Sequence, residues 1–186
     1  FSGTTPTTTT VIFGGSFNPP HLAHVLAICA AKSYLEGASI LVVPTFDHPF
    51  GKPLAAFEHR YRMCELAFGW VPSVTVSRIE QELGGESRTL RTLQALKART
   101  PNAHFRLLVG ADIMLESSKW HAWDEVEKLA PPFVLGRAGY AHPRAIGKAL
   151  PEISSSEVRA AFEARDAAAL GSLLTPSVLA YAEKNA

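Results

Sequence analysis

The chain has 186 residues, 47% of them hydrophobic, which is enough for one well-buried domain. Its 18 basic and 17 acidic side chains nearly cancel, so the overall field does not favour non-specific binding to nucleic acid. No apolar run approaches the roughly 20 residues that span a bilayer, and no basic start, apolar stretch and small-residue cleavage site mark the chain for secretion.

Phe1 to Thr10 is rich in Thr, with Ser, Gly and Pro and little to bury, and reads as a flexible tail ahead of a single domain over 11–186. Val11-Ile-Phe13 is a short buried strand ended by Gly14. Helical spacing follows the Pro19-Pro20 pair, with Leu22, Val25, Leu26, Cys29 and Ala30 on one expected face and Gly37 suited to closing the helix. Ser39 to Val43 is a second buried strand, and Thr45 to Ala55, with two prolines and a glycine, is a long loop. Phe57 to Phe68 has helical spacing, Ser73 to Ser77 reads as a strand, and Thr89 to Ala98 as a helix after the Gly84-Gly85 break.

His104 to Val109 forms the next strand, then helices over Asp112 to Leu115 and Trp120 to Leu129, and a last strand over Phe133 to Leu135. Three helical patterns close the chain, Glu157 to Arg165, Ala167 to Leu174 and Pro176 to Glu183. Strands alternating with helices call for an α/β fold, a doubly wound parallel sheet covered on both faces. Ligands in such sheets bind beyond the carboxyl ends of the strands, where Gly14, Pro44, Gly110 and Gly136 fall. Cys29 and Cys64 sit in helical patterns without metal-ligand spacing, so they read as buried free thiols, which fits a reducing cytoplasm.

Three stretches carry chemistry. In Gly14-Gly-Ser-Phe-Asn-Pro-Pro-His21-Leu-Ala-His24, a glycine turn, two imidazoles three residues apart and a helix N-terminus converge on one point. Free N–H groups and the positive end of the helix dipole suit that point to a phosphate. The stretch is not the G-x-G-x-x-G of dinucleotide-binding dehydrogenases. In Ile153-Ser-Ser-Ser-Glu-Val-Arg159, Ser154 and Glu157 have capping-box spacing, while the hydroxyls and the Arg159 fork are also anion ligands. Val109-Gly-Ala-Asp112 with Trp120 is the third; taken alone, the Asp is a helix cap and the Trp a core residue.

Together these stretches resemble the nucleotidyltransferase superfamily, in which a glycine pair, Phe, Asp or Asn, Pro and two histidines cradle ATP, and an I-S-x-S/T-x-x-R element lies downstream. The order of Gly110-Ala-Asp112 and Trp120, Arg137-Ala-Gly-Tyr140, Ser87-Arg-Thr89 and Arg60-x-x-Met63-x-x-Leu66-Ala67 resembles the bacterial nicotinate-nucleotide adenylyltransferases. The resemblance implies a Rossmann-like nucleotidyltransferase fold and transfer of AMP from ATP to a pyridine mononucleotide. It implies catalytic roles for His21, His24, Lys52 and Arg159, and ATP contacts from Gly14, Gly15, Ser16, Phe17, His24, Asp112, Arg137, Ser155, Ser156 and Arg159. Lys52, Thr89, Trp120 and His121 are the implied acceptor contacts. Mg²⁺ is expected to arrive with ATP, because no carboxylate cluster suggests a protein-built cage.

Three features depart from the family pattern. Asn18 and Ala23 replace Asp and Gly; the loop expected to read P-P-H-K reads His48-Pro-Phe-Gly-Lys52; and the shorter Tyr140 to Ile153 segment leaves room for one strand fewer. A transferase using nicotinamide mononucleotide or phosphopantetheine, and a nucleotide-binding protein without turnover, stay open as alternatives. So does the oligomeric state, a homo-oligomer included.

Overall fold

The structure is a computed structural model that describes residues 8–185. Its strands are β1 (Thr9–Gly15), β2 (Ser39–Pro44), β3 (Val74–Val76), β4 (His104–Gly110), β5 (Pro132–Arg137) and β6 (Ile146–Leu150). Its helices are α1 (Leu22–Tyr34), α2 (Phe57–Phe68), α3 (Ile79–Leu83), α4 (Thr89–Arg99), α5 (Ala111–Leu115), α6 (Trp123–Leu129), α7 (Ser155–Glu163), α8 (Ala167–Leu173) and α9 (Pro176–Asn185). Every strand pairing is parallel, in the order β3-β2-β1-β4-β5-β6. The order reverses direction between β1 and β4, which opens a crevice beyond their carboxyl ends.

β1 shows why its apolar residues run on without alternation. Val11 and Phe13 pack on one face of the sheet with α1, α2 and α7 to α9, while Ile12 packs on the other with α3 to α6. A strand buried on both faces has no polar side to display. Burying such side chains contributes roughly 1.5–3 kcal/mol each, so the two layers hold β1 at the centre with its glycine end facing the crevice.

Several expectations are corrected. Thr9 and Thr10 belong to β1, opposite His104 and Phe105 of β4, so the expected tail ends earlier; its first seven residues lie outside the described ones. α1 buries Ala23, Val25, Ala27, Ile28 and Ala31, while Leu26 and Cys29 are exposed. The helix is apolar almost all round, so spacing alone leaves its rotational phase undetermined. Leu35 closes the helix, and Gly37 makes the reversal at φ +75°. The short helix α3 was not anticipated, and a 3₁₀ turn at Ser117–Lys119 with extended backbone at Trp120 delays the next helix to Trp123. The segment thought short of a strand contains β6, an exposed edge strand with little apolar pattern to reveal it. Among the described residues no helix is long and apolar enough to cross a membrane.

Candidate active site

The glycine turn at the end of β1 is shaped by Phe17. Its side chain is buried, at left-handed φ +44°, and packs edge-on against Phe13, His24 and Phe68 at 5.4, 4.9 and 5.8 Å. A Cβ on Gly15 would stand 3.2 Å from the Phe17 ring, so Gly15 serves this packing. Gly14 differs: it is exposed, and the nearest atom to a Cβ there is the Val43 carbonyl oxygen at 3.9 Å. The open space over Gly14 lets a ligand approach the main chain.

His21 is the N-cap of α1, in extended conformation, and His24 stands one turn in. Their rings stack with centroids 3.7 Å apart, and the His21 backbone N–H donates to His24 Nδ1 at 3.1 Å. Burial, with a smaller contribution from the Arg137 charge, pushes His21 from 6.5 down to about 4. Burial, then His21 and Arg137, holds His24 well below its ordinary value. Both rings are therefore neutral at pH 7. Because His24 Nδ1 is an acceptor, the single proton of its neutral ring sits on Nε2, where it can be donated to a phosphate oxygen. His21 Nδ1 is buried with no partner among the described residues, and such atoms are rare in proteins.

α7 is fastened directly to this turn. Ser154 caps the helix by accepting from the Glu157 N–H at 3.1 Å. Ser155 Oγ donates to the Pro19 carbonyl at 2.9 Å, and Arg159 donates to the Asn18 carbonyl at 2.8 Å and to Ser156 Oγ at 3.0 Å. The two anion-binding stretches are thus joined directly to each other by hydrogen bonds. Asp112, on the first turn of α5, pairs with Arg137 at the end of β5 at 3.3 Å, and Arg137 also donates to the Ile153 carbonyl. A Cβ at Gly110 would collide with the Asp112 carboxylate, so glycine there admits the pair.

The expected acceptor residues are more scattered. Lys52 is exposed on the 45–56 loop, close enough that its charge adds to burial in lowering the pKa of His48. That loop is tied to the start of α4: Ser87 Oγ accepts from the Phe46 and Asp47 N–H groups, and the Ser87 N–H donates to the Asp47 carbonyl. Thr89, the first residue of α4, is thereby set beside the loop. Trp120 is half-buried, edge-on to Trp123 at 5.5 Å, and lines a cavity of about 450 Å³ with Ser117, Ser118, Ala122 and Trp123. His121 is exposed and is not among the residues lining that cavity. Asn18 gained no role from sequence, yet its Oδ1 accepts from the Ala55 N–H. Arg60 was legible only as part of a motif, although a cation spaced with Phe57 and Cys64 on an apolar stripe signals a buried charge.

A stacked imidazole pair and an open glycine turn thus stand at the switch point of a parallel sheet, where α/β folds bind their ligands. Residues 12–161 match the family model described as Cytidylyltransferase-like. The chain is 45% identical over 177 residues to the probable nicotinate-nucleotide adenylyltransferase of Anaeromyxobacter sp. strain K, covering 93% of this chain and 92% of that one. It is 37% identical over 158 residues to the counterpart from Myxococcus xanthus, covering 83% and 82%. Among solved structures, the nicotinic acid mononucleotide adenylyltransferase of Plasmodium falciparum complexed with NaAD has a similar fold, at TM-score 0.82, 22% identity and 96% coverage of each chain. The chain belongs to the nicotinate-nucleotide adenylyltransferase family.

Proposed function

We propose that this enzyme transfers the AMP group of ATP to the phosphate of nicotinate mononucleotide, forming deamido-NAD and pyrophosphate. An oxygen of the acceptor phosphate attacks the α-phosphorus, and the bond from that phosphorus to the bridging oxygen of the β-phosphate breaks. The acceptor phosphate is already anionic at neutral pH, so no strong general base is required. Catalysis is alignment and stabilisation of charge on the α-phosphate and the leaving group. The observation that carries this reading is the neutral His21–His24 stack with the His24 Nε2 proton free for donation.

In this reading His24 donates to the α-phosphate, and the Gly14–Phe17 loop approaches the phosphates with its main chain. Arg159, Ser155 and Ser156 support the turn and meet the terminal phosphates, with Arg159 supplying the positive charge, and Asp112 and Arg137 flank the nucleotide. Lys52 brings a cation to the meeting point of donor and acceptor. Thr89, Trp120 and His121 face the acceptor, with Trp120 as the aromatic platform for the pyridine ring. Among the described residues no group of three or more His, Cys, Asp or Glu side chains could hold a metal. The donor set is neutral or cationic, which suits phosphate oxygens; Mg²⁺ would enter coordinated by the triphosphate and supply charge neutralisation there.

The test is pyrophosphate release with ATP and a panel of phosphorylated acceptors. Nicotinate mononucleotide should exceed its amide in kcat/KM, because an NH₂ facing donors built for a carboxylate leaves polar groups unpaired, a mismatch worth up to about 10⁴–10⁵-fold in well-built sites. Trp120→Ala should lower kcat/KM for both acceptors. Preference for the amide or for phosphopantetheine overturns the acceptor assignment.

A further inference from the structure

Arg60 is buried, 1% exposed, and is the one buried Arg or Lys among the described residues. No ion pair reaches it among those residues. Its guanidinium is satisfied by backbone carbonyls: Nε donates to Ala55 at 2.8 Å, and Nη1 donates to Ser16 at 2.9 Å and to Thr45 at 2.7 Å. Burying a cation with no carboxylate in contact costs stability, which the more distant charge of Glu80 only partly offsets, and what this one accomplishes is the fixed placement of three carbonyls.

Those carbonyls belong to two different loops. Ser16 lies in the glycine turn beneath the expected phosphate position, while Thr45 and Ala55 stand at the two ends of the loop that carries His48 and Lys52. Further bonds run the same way: the Thr45 N–H donates to the Gly15 carbonyl at 2.9 Å, and Asn18 Oδ1 accepts from Ala55 at 3.1 Å. The Ser16–Phe17 peptide is trans, so its C=O and N–H point in opposite directions. With the carbonyl held by buried Arg60, the Phe17 N–H is turned away from the guanidinium.

We infer that Arg60 is a positioning residue that holds the Gly14–Phe17 loop and the Thr45–Ala55 loop in one register, and so sets the ATP phosphates against the acceptor phosphate. It touches neither substrate. The inference rests on the proposed reaction for the identity of the two ligands and on the geometry alone for the brace. Lysine keeps the charge but is a point donor without the planar fork that reaches three carbonyls.

The experiment compares Arg60→Lys, and Arg60→Met as a second variant, with the wild type. Each loop can still bind its own ligand, so KM for ATP and for the acceptor should stay within about threefold while kcat per folded molecule falls on the order of 10²-fold. Amide hydrogen exchange should quicken in residues 14–17 and 45–55 and stay unchanged in β4 and β5. A kcat within about threefold of wild type in folded Arg60→Lys overturns the inference. Unchanged exchange in the two loops does the same, as does failure of both variants to fold, which would assign Arg60 to the fold alone. If the wild type uses another phosphorylated acceptor, the acceptor assignment falls and the comparison runs on that acceptor; the exchange measurement depends on neither.

Discussion

At the scale of single residues, the site depends on which nitrogen of His24 holds the proton. The His21 N–H occupies Nδ1 and leaves Nε2–H as the only donor of a neutral ring. His24→Ala should therefore lower kcat/KM by roughly 10²–10³-fold, the usual loss for one oriented donor to a charge-bearing oxygen. It also removes the acceptor for the His21 N–H, costing about 1 kcal/mol of stability, so the variant should stay folded. Pyrophosphate release together with thermal unfolding checks both parts; near-normal turnover in a folded variant would remove the imidazole from the mechanism. The sequence displayed both histidines and their spacing. It did not display Arg60 as a brace, because its three partners are carbonyls, which every residue possesses.

At the scale of elements, α7 and the turn after β1 act as one piece. Arg159 has one nitrogen on the Asn18 carbonyl and another on Ser156 Oγ, so it both stiffens the turn and supplies positive charge there. Arg159→Ala should raise KM for ATP about tenfold, equivalent to the loss of one charge-assisted bond of roughly 1.5 kcal/mol. KM for the acceptor should change by less than about twofold, since Arg159 bonds the turn and α7 but not the 45–55 loop, which Arg60 and Ser87 still hold in the variant. Steady-state kinetics with each substrate varied in turn decides it; equal losses would place Arg159 on a different ligand. The motif at Ile153–Arg159 was plain in the sequence, but its attachment to Asn18 and Pro19 spans more than 130 residues of chain and arises only when β1 and α7 meet.

At the scale of the whole molecule, the buried histidines link stability to pH. His21 titrates near 6.5 when unfolded and about 4 when folded, so between those values the unfolded chain binds more protons. Stability from the neutral ring is complete above pH 6.5 and declines as the pH falls toward 4. His21 alone should remove about 2 kcal/mol between roughly pH 7.5 and pH 5. Urea unfolding at the two pH values measures it, with His21→Asn as the comparison, in which that part of the loss should vanish. Saturating ATP should diminish the decline, because phosphate charge beside the rings favours their protonated forms. An equal pH dependence in wild type and His21→Asn would contradict the burial-driven shift.

By itself the sequence determined the fold class, the boundaries of most strands and helices, and the residues of the phosphate turn. Those properties are local: short apolar runs ended by glycine or proline, and a glycine pair followed by two histidines on one helical turn, are written in consecutive residues. Only the tertiary structure decided the rotation of α1, the presence of β6, the pairing of Asp112 with Arg137, and the buried brace at Arg60. α1 is apolar on nearly every side, so the sheet it meets selects which side is covered. β6 is an exposed edge strand whose hydrogen bonds to β5, rather than its side chains, make it a strand. Arg60 is held by main-chain oxygens from two loops, and backbone atoms carry no sequence signature; their positions exist only after β1, β2 and α2 have packed.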